Sequence, residues 1–409
     1  MARTAQRLGA LAATLGIAAL AAAPAWAQKK YDPGVTDTEI KIGNIMPYSG
    51  PASAYALIAK TQKAYFDKVN AEGGINGRKV NFISYDDGYS PPKTVEQARK
   101  LVESDEVLFI FQPLGTASNA AIQKYMNAKK VPQLFVATGA TRFGDNPKTS
   151  PYTMGWQPNY QSEGRIYAKY ILDNKPDSKI AVLFQNDDYG KDLLKGLKDG
   201  LGAKASMIVA EAGYEVSEPT VDSQMVKLQS SGADVFVNVA TPKFAAQAIR
   251  KAGDLGWKPM HIVNNVSNSA GSVMKPAGLE NAKGVLSTAY LKDATDPTWK
   301  DDAGMKEWTA FMDKYFPDGD RTSSFTVYGY ASAQTLVQVL KQAGDDLTRD
   351  NVMKQAANLK NVSLNVLIPG ITMNTSPTDF FPIEQMQMQK FDGEKWQLFG
   401  PVISGELGG

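Results

Sequence analysis

What most constrains the fold of this 409-residue chain is an alternation of two hydrophobic periods that occurs twice. Short β-rich runs at Ile40–Ile45, Val80–Tyr85, Val107–Phe111 and Gln133–Val136 are each followed by a stretch of helical period. A second set begins at Lys179–Phe184 and continues at Met207–Ala210, Asp234–Val239 and Met260–Asn264. Runs this apolar predict strands buried on both faces, as in a parallel sheet with crossover helices. The intervening segments keep the 3.6 period: Ile58, Tyr65 and Val69 share a face, Val95, Ala98 and Val102 another, and Leu193, Leu194, Leu197 and Leu201 a third. Strand alternating with helix, twice over, predicts an α/β protein of two doubly wound, Rossmann-like lobes.

The borders follow from where the pattern breaks. The aromatic, Pro-rich stretch Tyr152–Gln161 separates the two sets, and beyond Tyr290 the chain turns helical, with one stripe at Trp308, Phe311, Met312 and Tyr315 and another at Ala333, Leu336, Val337 and Leu340. Gln385–Lys390 and Lys395–Phe399, around Asp392 and Gly393, predict a closing β-hairpin. The expected first lobe is 28–158 with 290–370, the second 159–289 with 371–409. A chain that visits each lobe more than once makes a multi-strand hinge, which permits closure while limiting twist.

Residues 1–27 have the form of a cleaved signal peptide: Arg3 and Arg7, an apolar run from Leu8 to Ala23, and the small-x-small site Ala25, Trp26, Ala27. The apolar run falls short of the roughly 20 residues of a spanning helix. The expectation is an exported, soluble protein, free in the periplasm and without direct membrane insertion. Removing 27 of 409 residues leaves 382, enough for two cores, and the formal charge of +2 falls to zero as Arg3 and Arg7 leave. Such a chain has no concentrated positive field for nucleic acid or an anionic membrane surface. It has no cysteine, which excludes thiolate chemistry, Cys-based metal sites and lipid attachment at cysteine, and its single histidine, His261, excludes a multi-histidine metal cage. No metal and no cofactor is expected, and catalysis would have only His261 and scattered acids to draw on.

Open α/β sheets bind ligands at the carboxyl ends of their strands, where loops meet helix N-termini. Past Phe111 lies Gln112-Pro113-Leu114-Gly115-Thr116-Ala117-Ser118, and past Val136 lies Ala137-Thr138-Gly139-Ala140-Thr141. Both loops are small and hydroxylic, and together they predict a pocket for an anionic group. In the second lobe, Gln185-Asn186-Asp187-Asp188-Tyr189-Gly190 puts an aromatic and two acids at a strand mouth, with Asp187 and Asp188 read as helix-capping residues. Asp86 and Asp87 read as turn residues rather than a metal pair. Gly200-Leu201-Gly202-Ala203-Lys204-Ala205 fits a dinucleotide spacing but lies after a helix and before a strand, the reverse of the required order.

The segments IGNIMPYSGPASAYA and NAEGGINGRKVNFISYDD, then VPQLFVATGAT, IAVLFQNDDYG and TVYGYASAQTL, make the chain similar to the type I periplasmic binding proteins of the Leu/Ile/Val-binding family, which serve ABC importers. The resemblance implies a carboxylate site at Thr116 and Thr141, flanked by Leu114, Gly115 and Ala140, and an amine-accepting carbonyl at Gly139. It implies aromatic walls at Tyr55 and Tyr189. The family's ammonium-binding glutamate falls on Asn265, with Asn264 beside it, and another family tyrosine falls on Thr241. A buried ammonium without its carboxylate loses a charge-assisted bond of about 1.5 to 3 kcal/mol, whereas an acid without an amine does not miss it. The expected function is therefore capture of a small carboxylate, an amino acid or an aromatic or aliphatic organic acid, by a monomer that hands it to a membrane permease. A ligand-presenting sensor and a cofactor-independent enzyme are the alternative readings.

Overall fold

The computed structural model describes residues 29–405, and the expected signal peptide, residues 1–27, lies outside the described residues. Five strands form the first sheet: β1 (Glu39–Met46), β2 (Lys79–Asp86), β3 (Ile110–Phe111), β4 (Gln133–Val136) and β5 (Thr153–Gly155). They are all parallel, in the order β2-β1-β3-β4-β5. Seven strands form the second: β6 (Ile180–Gln185), β7 (Ile208–Tyr214), β8 (Val235–Val239), β9 (Met260–Val263), β10 (Leu286–Ala289), β11 (Gln385–Phe391) and β12 (Trp396–Ser404). Their order is β12-β11-β10-β9-β8-β6-β7, parallel from β7 to β10 and antiparallel through the hairpin β11-β12. Each sheet thus reverses its winding once, between β1 and β3 and between β6 and β8, and the crevices at these reversals are where open α/β sheets take ligands.

The helices that matter for the site are α1 (Ala56–Ala71), α2 (Pro91–Arg99) and α3 (Thr116–Lys129) in the first lobe, and α4 (Tyr160–Asn174), α5 (Asp188–Leu201), α6 (Asp222–Ser230) and α7 (Pro242–Asp254) in the second. The later helices α8 (Ala303–Tyr315), α9 (Ser324–Ala343) and α10 (Arg349–Ala356) return to the first lobe. There α9 lies against α1 so closely that a Cβ on Gly329 would stand 2.6 Å from the Ile58 carbonyl.

The chain passes between the sheets after β5, after β10 and before β11. The last passage comes at Gln385 rather than at 371. Residues 371–384 stay with the first lobe, where Met373 pairs with Val362 and Thr375 N bonds Leu359 O at 3.0 Å. The expected α/β architecture of two doubly wound lobes is the one observed. Asp86 and Asp87 act as turn residues. The Asp86 carboxylate takes the amides of Tyr48, Ser49 and Gly88, and Asp87 takes the Tyr89 amide and the Thr94 hydroxyl.

Candidate ligand site between the lobes

Thr116 opens α3 at the carboxyl end of β3, directly at the reversal of the first sheet. The residue before it, Gly115, has φ +102°, a backbone state that keeps side-chain-bearing residues away, and no side chain caps this helix. The first intrahelical bond is Asn119 N to Gly115 O, so helix geometry leaves the amides of Thr116, Ala117 and Ser118 without intrahelical acceptors. Thr116 is buried and its hydroxyl meets that of Thr138 at 2.6 Å. An uncapped helix start of this kind, facing a cavity, is suited to an anion.

The cavity lies between the lobes and encloses about 80 Å³ open to the centre of a water-sized sphere. A single water needs about 10–15 Å³ of such space, so several waters or one small solute fit. Tyr55 and Phe325 face each other at 5.0 Å between ring centroids, and Tyr160 and Tyr189 at 5.1 Å. Tyr89, Tyr290 and Tyr328 complete an aromatic wall, while Gln157, Thr241, Asn265 and Asn268 are the main polar members.

Two charged side chains, Lys292 and Asp293, lie in its lining, and the lysine is fully engaged. Lys292 Nζ donates to both Asp302 oxygens and to Asn365 O, each at 2.8 Å, which uses its three protons. Asp293 accepts from the amide and hydroxyl of Thr295 through Oδ1 alone, and burial raises its carboxyl above the usual range.

Of the residues expected at the site, Tyr55, Leu114, Gly115, Thr116, Tyr189, Thr241 and Asn265 line this cavity together. The Thr241 hydroxyl is bound to Tyr214 and Gln185, so the Thr241 side chain supports the wall more than it offers a free group. Gly139, Ala140 and Thr141 do not line it. A tight turn, Thr138 N to Val136 O at 2.9 Å, carries them outward, where the Gly139 carbonyl takes the Tyr160 amide at 2.7 Å. Ala140 and Thr141 border a separate, more open cleft with Asp188 and Asp192.

Thr141 instead joins the lobes. Its amide and hydroxyl both donate to Asp192 Oδ2, at 2.8 and 2.9 Å, while Gln161 holds Oδ1 at 2.7 Å. Tyr55 OH to Val266 O at 3.0 Å and Gly271 N to Thr322 O at 2.9 Å are further bonds across the gap, so the lobes are closed on each other. Asp192→Ala removes both Thr141 bonds, each worth about 0.5–1.5 kcal/mol or more to a charged acceptor. Small-angle scattering of the ligand-free variant should show a more open particle, and ligand affinity should fall about tenfold as closure costs more. Unchanged scattering and affinity would remove Asp192 from the closure equilibrium.

Sequence reasoning did not single out Tyr89, Tyr160, Gln157 or Tyr328 as site residues. Tyr160 and Gln157 lie in the stretch read only as a lobe crossing, whose aromatic content was the available signal. His261, by contrast, behaves as a core residue: it packs on Phe236 at 4.5 Å, and burial holds its imidazole down to about 3.

Residues 39–395 match the family model described as periplasmic binding protein. The chain belongs to that family. Among its curated relatives, the Leu/Ile/Val-binding protein homolog 1 of Brucella abortus is 27% identical over 334 residues, covering 79% of this chain and 84% of the relative. Homolog 2 of the same organism is 26% identical, covering 80% and 86%. A branched-chain amino acid ABC transporter protein from Thermus thermophilus, solved with bound valine, superposes with a TM-score of 0.80 at 15% identity, covering 90% of this chain and 97% of that one. A fatty acid ABC transporter substrate-binding protein from Thermomonospora curvata gives 0.76 at 22% identity, covering 92% and 95%. The resemblance read from GGINGR and the strand-end loops holds, and with it a periplasmic family location. Among the described residues no helix is long and apolar enough to cross a membrane.

Proposed function

We propose that this protein is the solute-binding component of an ABC importer and that it captures a small carboxylate lacking an amino group. The observation that carries this reading is the pairing of an uncapped helix start at Gly115–Thr116 with a cavity whose lysine is already fully bonded and whose one carboxylate, Asp293, is shifted by burial toward its neutral form. The helix amides and the Thr116 hydroxyl would hold the carboxylate, and the tyrosine wall would cover an aromatic or branched apolar body. The resemblance puts neutral Asn265 where the family's ammonium-binding acid is expected. The relatives named above include one solved with valine and one named for fatty acids, so the fold serves acids with and without an amine. Capture followed by delivery to a membrane permease requires no chemistry at the site.

The test is calorimetry and thermal shift of the mature chain against benzoate-type acids, branched aliphatic acids and leucine. Micromolar binding corresponds to about 8 kcal/mol, within reach of several amide bonds to a carboxylate plus one buried apolar group. Thr116→Ala should weaken whichever acid binds by about tenfold or more, the loss of one hydrogen bond to a charged group. Stabilisation by leucine alone would overturn the amine-free reading, and an unaltered Kd in Thr116→Ala would take the carboxylate away from this helix.

A further inference from the structure

Behind the second-lobe wall of the cavity stands a carboxylate whose hydrogen bonds all come from neutral groups. Glu163, in the first turn of α4, is fully buried. Its Oε1 accepts from Asn265 N at 2.6 Å and from Tyr167 OH at 2.5 Å, with Thr288 Oγ1 at 3.4 Å, and its Oε2 accepts from Asn265 Nδ2 at 2.7 Å. An ionised carboxylate can only accept, so the amide nitrogen of Asn265 has to point at it. Turning that amide over would set Oδ1 against Oε2. Asn265 lines the cavity, and among the described residues its Oδ1 accepts no hydrogen bond.

We infer that Glu163 is a positioning residue which locks Asn265 with its side-chain carbonyl toward the ligand, so that the ligand is a hydroxy acid whose hydroxyl donates to Asn265 Oδ1. This rests on the carboxylate-binding reading above and narrows it. A hydroxyl has one proton to give and a neutral carbonyl satisfies it. An ammonium brings a full charge and three donors, which the neutral carbonyl of Asn265 does not match.

The lock depends on the charge of Glu163. Once protonated, its O–H can donate to Oδ1 of a turned-over Asn265, and the amide NH₂ then faces the cavity. Burial pushes this carboxyl up to about 7. The titratable groups around it are Tyr160 and Tyr167 on its own helix, Tyr189 from α5 and Tyr290 just past β10, all held neutral by burial, and none of the groups acting on Glu163 is a cation.

Two isosteric series test this by calorimetry on the mature chain. One is 4-methylpentanoate, its 2-hydroxy derivative and leucine; the other is 3-phenylpropanoate, 3-phenyllactate and phenylalanine. At about pH 8 the hydroxy member should bind about tenfold tighter than its deoxy counterpart, the effect of one well-made hydrogen bond. That margin should shrink to about twofold or less at about pH 5.5, and in Glu163→Gln or Asn265→Ala at either pH. Equal binding of hydroxy and deoxy acids by the wild type at the higher pH overturns the inference while leaving carboxylate capture standing. Tightest binding of the amino member, lost in Asn265→Ala, overturns the hydroxy-acid assignment and the amine-free reading together. If no acid of either series binds, the carboxylate reading falls, and the lock is judged in the ligand-free protein. There, the side-chain NH₂ resonances of Asn265, followed by NMR on asparagine-labelled chain, should move as pH passes through about 7 and be insensitive to it in Glu163→Gln. Resonances that ignore both pH and the substitution overturn the lock.

Discussion

Gly115→Val should abolish measurable ligand binding, a loss of at least about a hundredfold, in a protein that still folds. At φ +102° a β-branched residue is strained by about 1–3 kcal/mol. Its Cβ would also stand 2.7 Å from Cε2 of Tyr89. Tyr89 is itself a cavity wall, so relief requires either the ring to move into the ligand space or the start of α3 to tilt away from it. Both outcomes spoil the helix start at which the carboxylate is proposed to bind. The strain is a fraction of the roughly 5–15 kcal/mol by which domains are usually stable, so the variant should remain folded with a modestly lower Tm. Calorimetry with the acid that binds the wild type, beside a circular-dichroism melt, checks both halves. Wild-type affinity together with a lowered Tm would show that the conformation of Gly115 serves folding and not the ligand.

The same residue shows why much of this site was legible in the sequence. A doubly wound sheet places its crevice at strand ends, and strands buried on both faces announce themselves as unbroken apolar runs such as Ile180–Gln185. Once those ends were located, the Gly-Thr pair after β3 and Tyr189 in the loop after β6 could be placed at the crevice, whereas Asn265 was reached only through the resemblance to the family. Strands β5 and β10 were harder. Thr153–Gly155 is three residues long, and Leu286–Ala289 carries Ser287 and Thr288 in its middle, so neither has the composition of a central strand.

What stayed hidden depends on contacts between distant parts of the chain. Gly139–Thr141 have the small, hydroxylic chemistry of an anion loop, yet a tight turn and the pull of Asp192 from the other lobe make them part of the closure contact. Glu163 reads locally as an acid in the first turn of a helix, where the macrodipole favours it. Its partner Asn265 is 102 positions away, and only the packing of α4 under β9 and β10 brings the two together.

On its other side α4 packs against α5, and Gly196→Val should damage that contact severely. Helices α4 and α5 cross through glycines: a Cβ on Gly196 would lie 2.2 Å from the Gln161 carbonyl oxygen, and one on Gly164 2.5 Å from both Leu193 O and Leu197 N. The obstacles are backbone atoms, which cannot rotate aside as a side chain would. The helices must therefore separate, giving up contacts of the buried Leu193, Leu197, Ile166 and Tyr167. Overpacking of this kind costs about 1–3 kcal/mol where neighbours can adjust, and more where, as here, only whole helices can move. The variant should lose about 3 kcal/mol or more, and Gly196→Ala should lose nearly as much because the first carbon already collides. Ligand binding should suffer beyond the loss of stability, since α5 begins at Asp188–Tyr189 and carries Asp192, while α4 carries Tyr160 and Glu163. A displacement of one helix against the other thus shifts the aromatic wall, the Asn265 lock and the closure contact at once. Urea unfolding gives the stability and calorimetry the affinity. A Gly196→Val protein with wild-type values of both would mean that the two helices can part without disturbing the cavity they wall.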